Sequence, residues 1–457
     1  MARKPLSKVD TAWLRMEDPT NLMMITGVLT FGAPLDFERL RFTLQAGLGQ
    51  IRRFRQRVVR AALPPADFYW EDDAAFDLNY HLRRASLPTH AGAGDQAALR
   101  ELASLLASTP LDLDRPLWQF HLVADYRGGS ALICRLHHTI GDGLALVYVL
   151  LSLTDDEPGA PWPLVRPRRP KDPPPLYDAF LEGARKTASS ATTQLRALQA
   201  DPSRLVDGAS LAGQAAGTVA RLLLMPPDPP TPLKGPLGVA KRVAWSEAIE
   251  LDRIKTIGRA VGGTINDVLL AALTGALHRY LVSRCDLDPE LDLRAVVPVN
   301  LRRPGTEADL GNKFGLFFLS LPVGQADADS RLAAVKRRMD ALKSSIQAPV
   351  TFGILGLLGI VPLEVEEWAL DFFGARATLV ATNVMGPKEK LYLAGAPIES
   401  LMFWVPQSGR LGLGASIQSY AGRVWVGFIA DEGLVPDPEA IVDGFHAELA
   451  SQEKAVG

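Results

Sequence analysis

The chain is poor in the features that most readily declare a function. Its 457 residues include only two cysteines, Cys134 and Cys285, too few for a disulfide framework. Neither charge predominates. The 49 Lys and Arg residues nearly balance 51 Asp and Glu, a formal net charge of -2, so no overall field favours nucleic acid and that class is excluded. The start of the chain has no charged-then-apolar pattern of a secretory signal, and with so few cysteines a cytoplasmic location is expected. One uncharged stretch, residues 352–363 (FGILGLLGIVPL), falls short of the roughly 20 residues a spanning helix needs. It reads either as a buried helix or strand, or as an apolar patch that docks on lipid or lines a tunnel. No period of about 20 to 50 residues recurs, which excludes a solenoid.

Histidine is also scarce, with seven in the chain, yet two are adjacent in His137-His138-Thr139-Ile140-Gly141-Asp142-Gly143. A side chain that titrates near neutrality is the natural acceptor for the proton of a hydroxyl or thiol. Residues 117–124 (LWQFHLVA) alternate as a strand, 125–130 (DYRGGS) form a turn, and 131–136 (ALICRL) form a second strand. The histidines therefore lie where a strand ends, ahead of an apolar helix at about 144–153. Each residue also has a structural explanation. Asp142 suits a helix N-cap, and Gly141 and Gly143 suit unusual backbone angles. A zinc site is disfavoured because neighbouring side chains on an extended segment point to opposite sides, so no metal is expected.

Composition, 47% hydrophobic and 22% charged, supports a large buried core in two or three domains. Residues 155–175 are dense in proline and charge, 177–224 read as helical, and 225–237 are again proline-rich. The expected division is a first lobe at 1–154, a crossover at 155–237 and a second lobe at 238–457. In the second lobe, 264–281 reads as a helix with Thr264 as N-cap and Asp267 in the first turn, and 331–345 as another. Strands are expected at 294–299, 314–321, 379–384, 411–418 and 424–430. The basic run Arg52-Arg53-Phe54-Arg55-Gln56-Arg57 is either a solvated helix face or a phosphate site.

The heptapeptide matches the HHxxxDG motif of the CoA-dependent acyltransferase superfamily, which includes chloramphenicol acetyltransferase, peptide-synthetase condensation domains and plant acyltransferases. Further segments resemble the bifunctional wax ester synthase/acyl-CoA:diacylglycerol acyltransferase family. They are Leu6-Ser7-Lys8-Val9-Asp10, Phe76-Asp77-Leu78-Asn79-Tyr80-His81, Pro116-Leu117-Trp118 and Thr264-Ile265-Asn266-Asp267-Val268, followed by Val296-Val297-Pro298-Val299-Asn300-Leu301-Arg302, Gly311-Asn312 and Asn383-Val384-Met385-Gly386-Pro387. Two departures stand out. Leu22-Met23-Met24-Ile25-Thr26-Gly27 lacks the histidine usual there, leaving that segment only a packing role. Asp371-Phe372-Phe373-Gly374 is only a partial likeness of the plant enzymes' DFGWG.

The resemblance implies an α/β fold of two chloramphenicol-acetyltransferase-like lobes, each a mixed sheet flanked by helices, with the active site in a tunnel between them. It implies transfer of a long-chain acyl group from acyl-CoA, a substrate and not a cofactor, to a fatty alcohol or diacylglycerol. His138 would be the general base, with no acyl-enzyme. His137 would orient the loop, Asp142 would hold it through an arginine, and Gly143 would let backbone approach closely. Asn266 and Asp267 would shape the acceptor site, where a side-chain amide could donate to the developing oxyanion, or, alternatively, only cap a helix. The enzyme would work at a membrane or lipid-droplet surface. The alternatives are condensation-type acyl transfer to another acceptor, or lipid-surface binding without catalysis.

Overall fold

The computed structural model describes residues 3–61, 68–87, 95–158, 205–285, 287–302, 310–343, 345–407 and 409–456. The Gly129–His137 strand is buried along its whole length, as an almost uninterrupted apolar run requires. It pairs antiparallel with Trp118–Tyr126 on one side and Met24–Phe31 on the other. The hairpin closes on Arg127 and Gly128, with φ of 51° and 78°, the pair of positive angles that matches strand twist in a two-residue turn. The seven-stranded sheet runs, in order, Leu82–Ala85, Trp118–Tyr126, Gly129–His137, Met24–Phe31, Ala396–Trp404, Tyr392–Leu393 and Thr154–Asp155.

A second seven-stranded sheet follows the order Ile249–Glu250, Arg423–Asp431, Leu413–Tyr420, Leu379–Met385, Leu293–Asn300 and Phe314–Leu321, with Lys241–Trp245 also on Arg423–Asp431. The five strands expected here form within two residues of their expected limits. The Ile265–Val282 helix starts from a capping box, Thr264 and Asp267 bonding each other's backbone, and is buried along most of its length against this sheet. Each sheet has its own hydrophobic core, so the mixed α/β, two-lobed expectation holds.

The sheets do not follow the division of the chain at 155 and 238. Two strands from the C-terminal part, Tyr392–Leu393 and Ala396–Trp404, complete the first sheet, with Trp404 opposite Thr26. The apolar run Leu401-Met402-Phe403-Trp404 buries both faces there, and Trp404 packs on Trp245 with ring centroids 5.5 Å apart. Of the crossover, residues 159–204 lie outside the described residues. Leu205–Leu224 is helical, as expected. The proline-rich piece after it is pinned to the second lobe, the Lys234 ammonium donating to the Gly374, Ala375 and Ala377 carbonyls. Residues 352–363 fall in a helical corner formed by Gln347–Leu358 and Leu363–Gly374. Among the described residues, no single helix is long and apolar enough to cross a membrane.

Candidate active site

Where the Gly129–His137 strand ends, its last two residues diverge as side chains on an extended segment must. His137 is fully committed. The Thr139 N–H donates to its Nδ1 at 3.1 Å, so Nδ1 is an acceptor and Nε2 carries the proton that is donated to the Glu17 carboxylate at 2.6 Å. Burial opposes ionisation of Glu17. The hydrogen bonds from His137 and from the Met23 N–H outweigh it and hold the carboxyl below its ordinary pKa. With both nitrogens occupied, His137 has no lone pair to offer a substrate.

His138 is the opposite case. It is 5% exposed, its N–H donates to the Met23 carbonyl at 2.8 Å, and its carbonyl accepts from Asn312 Nδ2 at 2.9 Å. Its ring stacks on Trp13, centroids 4.4 Å apart and 22° between planes, with Phe314 at 5.8 Å. Its Nδ1 has no hydrogen-bond partner among the described residues. Burial pushes its pKa down to about 4, against the upward pull of the Asp142 carboxylate. The ring is therefore neutral across the physiological range.

Asp142 caps the Gly143–Leu151 helix, its Oδ1 accepting from the Ala145 N–H at 3.0 Å. The same carboxylate is bound by the Arg302 guanidinium, which is the arginine partner expected but not identifiable from sequence, and by the Lys313 N–H at 3.1 Å. Arg302 also donates to the Gly311 carbonyl, and both ends of the Asp142–Arg302 pair are buried. Gly311 has φ of 105°, open in practice only to glycine, and forms a bridge with Gly141. This clamp joins the loop after one sheet to the end of a strand in the other. Neither Gly141 nor Gly143 adopts a positive φ, so the purely structural alternative of left-handed backbone angles does not account for them. A Cβ on Gly143 would meet nothing closer than Val405 at 3.9 Å, so its missing side chain leaves space in the cavity wall.

His138, Asp142, Gly143, Asn300, Arg302 and Asn383 are among the residues lining one cavity of about 700 Å³, counting its opening to solvent. An adjoining, almost wholly apolar cavity of about 640 Å³ shares Trp13, Val296 and Leu316 with it and reaches the helical corner at Leu355, Leu358 and Leu370. The apolar stretch of the sequence thus supplies part of a tunnel wall. Asn266 and Asp267 are not lining residues. Asp267 is spent on the capping box, while Asn266 Oδ1 accepts from Asn383 Nδ2 at 3.0 Å and so acts one residue behind the wall. Two amides lie on the wall, Asn383, which donates to Asn266, and Asn300. The Asn300 Oδ1 is fixed by the Arg302 N–H at 2.9 Å, and its buried Nδ2 has no partner among the described residues.

Asn300, Arg302 and Asn312 all lie in segments that carried the family resemblance, but Trp13 and Glu17 had no signal beyond their residue types. Leu22–Gly27 does more than pack, since Met23 bonds both His138 and Glu17. The basic run at 52–57 is no α-helical face. Arg52 pairs with Asp72, Arg57 with Glu71, and the Arg53 guanidinium lies 3.8 Å from the Trp70 ring centroid. Cys134 is buried in the sheet, its thiol pKa pushed upward, and Cys285 is free. Among the described residues, no group of three or more His, Cys, Asp and Glu side chains could hold a metal ion.

The family model for the wax ester synthase/diacylglycerol acyltransferase catalytic domain matches residues 6–269, and that for the WS/DGAT C-terminal domain matches 310–452. A putative diacylglycerol O-acyltransferase of Mycobacterium tuberculosis is 27% identical, the match covering 98% of this chain and 90% of the relative. Another from the same organism is 29% identical with 99% of each chain covered. Among solved structures, the wax ester synthase/diacylglycerol acyltransferase from Marinobacter aquaeolei VT8 superposes with a TM-score of 0.68 at 23% identity, covering 99% of this chain and 100% of that one. The first condensation domain of the calcium-dependent antibiotic synthetase gives 0.61 at 16% identity, covering 100% and 96%. At these identities the two structures show the fold.

Proposed function

The chain belongs to the wax ester synthase/diacylglycerol acyltransferase family, and from that premise we propose how its residues carry an acyl group from acyl-CoA to a fatty alcohol or diacylglycerol. The observation that carries the reading is the division of labour between the two histidines: His137 is saturated with partners, while His138 is neutral and lines the cavity between the lobes. As the acceptor oxygen attacks the thioester carbonyl, His138 takes its proton. The tetrahedral intermediate collapses with cleavage of the C–S bond, and His138 returns the proton to the departing thiolate. Neither a covalent acyl-enzyme nor a metal step is needed to balance this sequence.

Asn300 Nδ2 is the donor we assign to the oxyanion, in place of Asn266. The Arg302 N–H fixes the amide so that its NH₂ end is the unpaired one, and a buried donor without a partner gains most when charge develops beside it. The Asp142–Arg302 clamp holds the loop that presents His138. The apolar cavity beyond Trp13 takes a lipid chain, where fit and not polar pairing decides selectivity. An added methylene is worth only about 1 to 3 kcal/mol in such a pocket, so both fatty alcohols and diacylglycerol are accepted. We place the enzyme in the cytoplasm, peripherally on a membrane or lipid droplet.

The test is a thiol-release assay with palmitoyl-CoA, with and without hexadecanol or diacylglycerol, and chromatography of the products. Wax ester and triacylglycerol should each form, and each acceptor should depress the other's product. Exclusive use of a short polar acceptor, or an acylated protein in intact-mass spectra after acyl-CoA alone, would overturn the scheme.

A further inference from the structure

Thirteen large apolar side chains are exposed among the described residues, and five of them fall within twelve positions of the helical corner. These are Leu357, Ile360, Leu363, Val365 and Trp368, each 45 to 59% exposed. Scattered exposed apolar residues need no explanation, but a contiguous group does. The inward faces of the same two helices, through Ile354, Leu355, Leu358, Ala369 and Leu370, line the apolar cavity that adjoins the His138 cavity. One thin layer of helix therefore has lipid-compatible surface on both sides.

The charge pattern narrows what this layer meets. Residues 346–375 contain no Lys or Arg, and their only charges are Glu364, Glu366, Glu367 and Asp371. Glu366 is buried against Arg15, and Asp371 is paired with Arg410. The Arg376 guanidinium lies 3.4 Å from the centroid of the Phe372 ring, its nitrogens donating to the Met225 and Phe372 carbonyls. Of the basic residues beside the corner, Arg15, Arg376 and Arg410 are engaged with its own carboxylates, carbonyls or rings, and Lys8 packs its backbone on Gly359. An element that reads an anionic membrane carries clustered Lys and Arg, and this one has the reverse.

We propose that the corner between Gln347–Leu358 and Leu363–Gly374 docks on an uncharged lipid surface, that of a neutral-lipid droplet, and passes water-insoluble acceptor and product between that phase and the apolar cavity. The proposal rests on the acyltransferase reading, because only a lipid acceptor or product needs such an entrance. Burial of side chains such as Leu363 and Trp368 supplies the attachment, and no counter-ion is released.

The experiment is flotation of the full-length protein with triolein emulsions coated with phosphatidylcholine, compared with coats that contain phosphatidylglycerol and with about 1 M salt. Wild-type protein should float with the neutral emulsion, no better with the anionic one, and undiminished by salt. The variant Leu357→Ser/Leu363→Ser/Trp368→Ser should lose about tenfold or more in partitioning. It should keep its melting temperature and its turnover of a soluble acyl-CoA with 1-hexanol. Wild-type flotation only on anionic coats, flotation abolished by salt, or a variant that floats like wild type would overturn the proposal. So would sedimentation showing that the substitutions convert a dimer to a monomer. Absence of wild-type turnover with the soluble substrates would instead strike at the acyltransferase reading, and the two failures are separable.

Discussion

The two ends of the tunnel are built on opposite principles. At the His138 end, polar groups are buried and almost all assigned: Glu17 to His137, Asn312 to the His138 carbonyl, Arg302 and Lys313 to Asp142. At the corner end, the cavity wall is almost wholly apolar, and the hydrogen bonds that tie the two helices to the rest of the molecule, through Arg15, Thr351, Gln347, Lys234 and Arg410, brace the helices and not a reacting group. The first arrangement fixes atoms to within a hydrogen bond and suits a reaction with one geometry. The second fixes only a cross-section, which suits substrates that differ in length and branching. Chemistry is specified where partners are counted, and tolerance resides where only volume is.

The largest effect should come from His138→Ala; the ring Nδ1 it removes, like the Asn300 Nδ2, has no partner among the described residues. Turnover should fall by roughly 10²- to 10⁴-fold with the fold intact by circular dichroism. A variant that retains wild-type turnover would remove the distinction between the two histidines. Next is Arg302→Met, which strands the Asp142 carboxylate in a buried site. The expected loss is about 3 to 5 kcal/mol in denaturant unfolding, together with activity. Full stability would show that the clamp is not what joins the lobes at the loop.

Third is Asn300→Ala, for which kcat should fall about 10²- to 10³-fold with little change in KM, the pattern of an interaction made only in the transition state. A change confined to KM would make Asn300 an acceptor-binding group instead.

Much of this contrast was legible in the sequence, but unevenly. The strands flanking the HHxxxDG loop and the helix after it follow from local periodicity, which is why their positions agree with the expectation. Arg302 lay in plain view within Val296–Arg302, yet its partner is 160 positions away, and no local pattern encodes that pairing. Glu17 reaches His137 across 120 positions from a segment with no motif at all. Asn266 was a reasonable candidate because an amide near a helix start can face a site. Topology gives that place to Asn300 and leaves Asn266 to brace Asn383. Composition showed that 352–363 was apolar but could not show that Gly359 and Pro362 mark a corner with apolar side chains on both surfaces.

The smallest predicted effect separates the two ends by pH. His138 is held near a pKa of about 4, below its ordinary 6.5, so between these values the unfolded chain binds more protons and stability falls as pH drops. Glu366, under the corner, is raised by burial from 4.5 to about 7 despite Arg15. There the folded state holds the extra proton, so its contribution is present at low pH and is lost as pH rises through 7. Glu366→Gln should therefore match wild type below about pH 4.5 and gain on it as pH rises from 4.5 to 7, reaching a melting temperature about 2 to 4 °C higher that stays constant above pH 7. A difference that does not grow between pH 4.5 and 7 would assign the wrong end.

The strand exchange between the lobes sets a schedule for the newborn chain. The Met24–Phe31 strand waits for Ala396–Trp404, and Thr26 meets Trp404 378 positions later. At roughly 5 to 20 residues per second of synthesis, this edge stays open for on the order of half a minute. It is a long and largely apolar edge, the kind that templates pairing with another chain. The N-terminal sheet cannot finish ahead of the ribosome, and fragments that stop before residue 396 should aggregate where the complete chain folds. Chaperone demand during production is thus written into the topology, not into the stability of the finished enzyme.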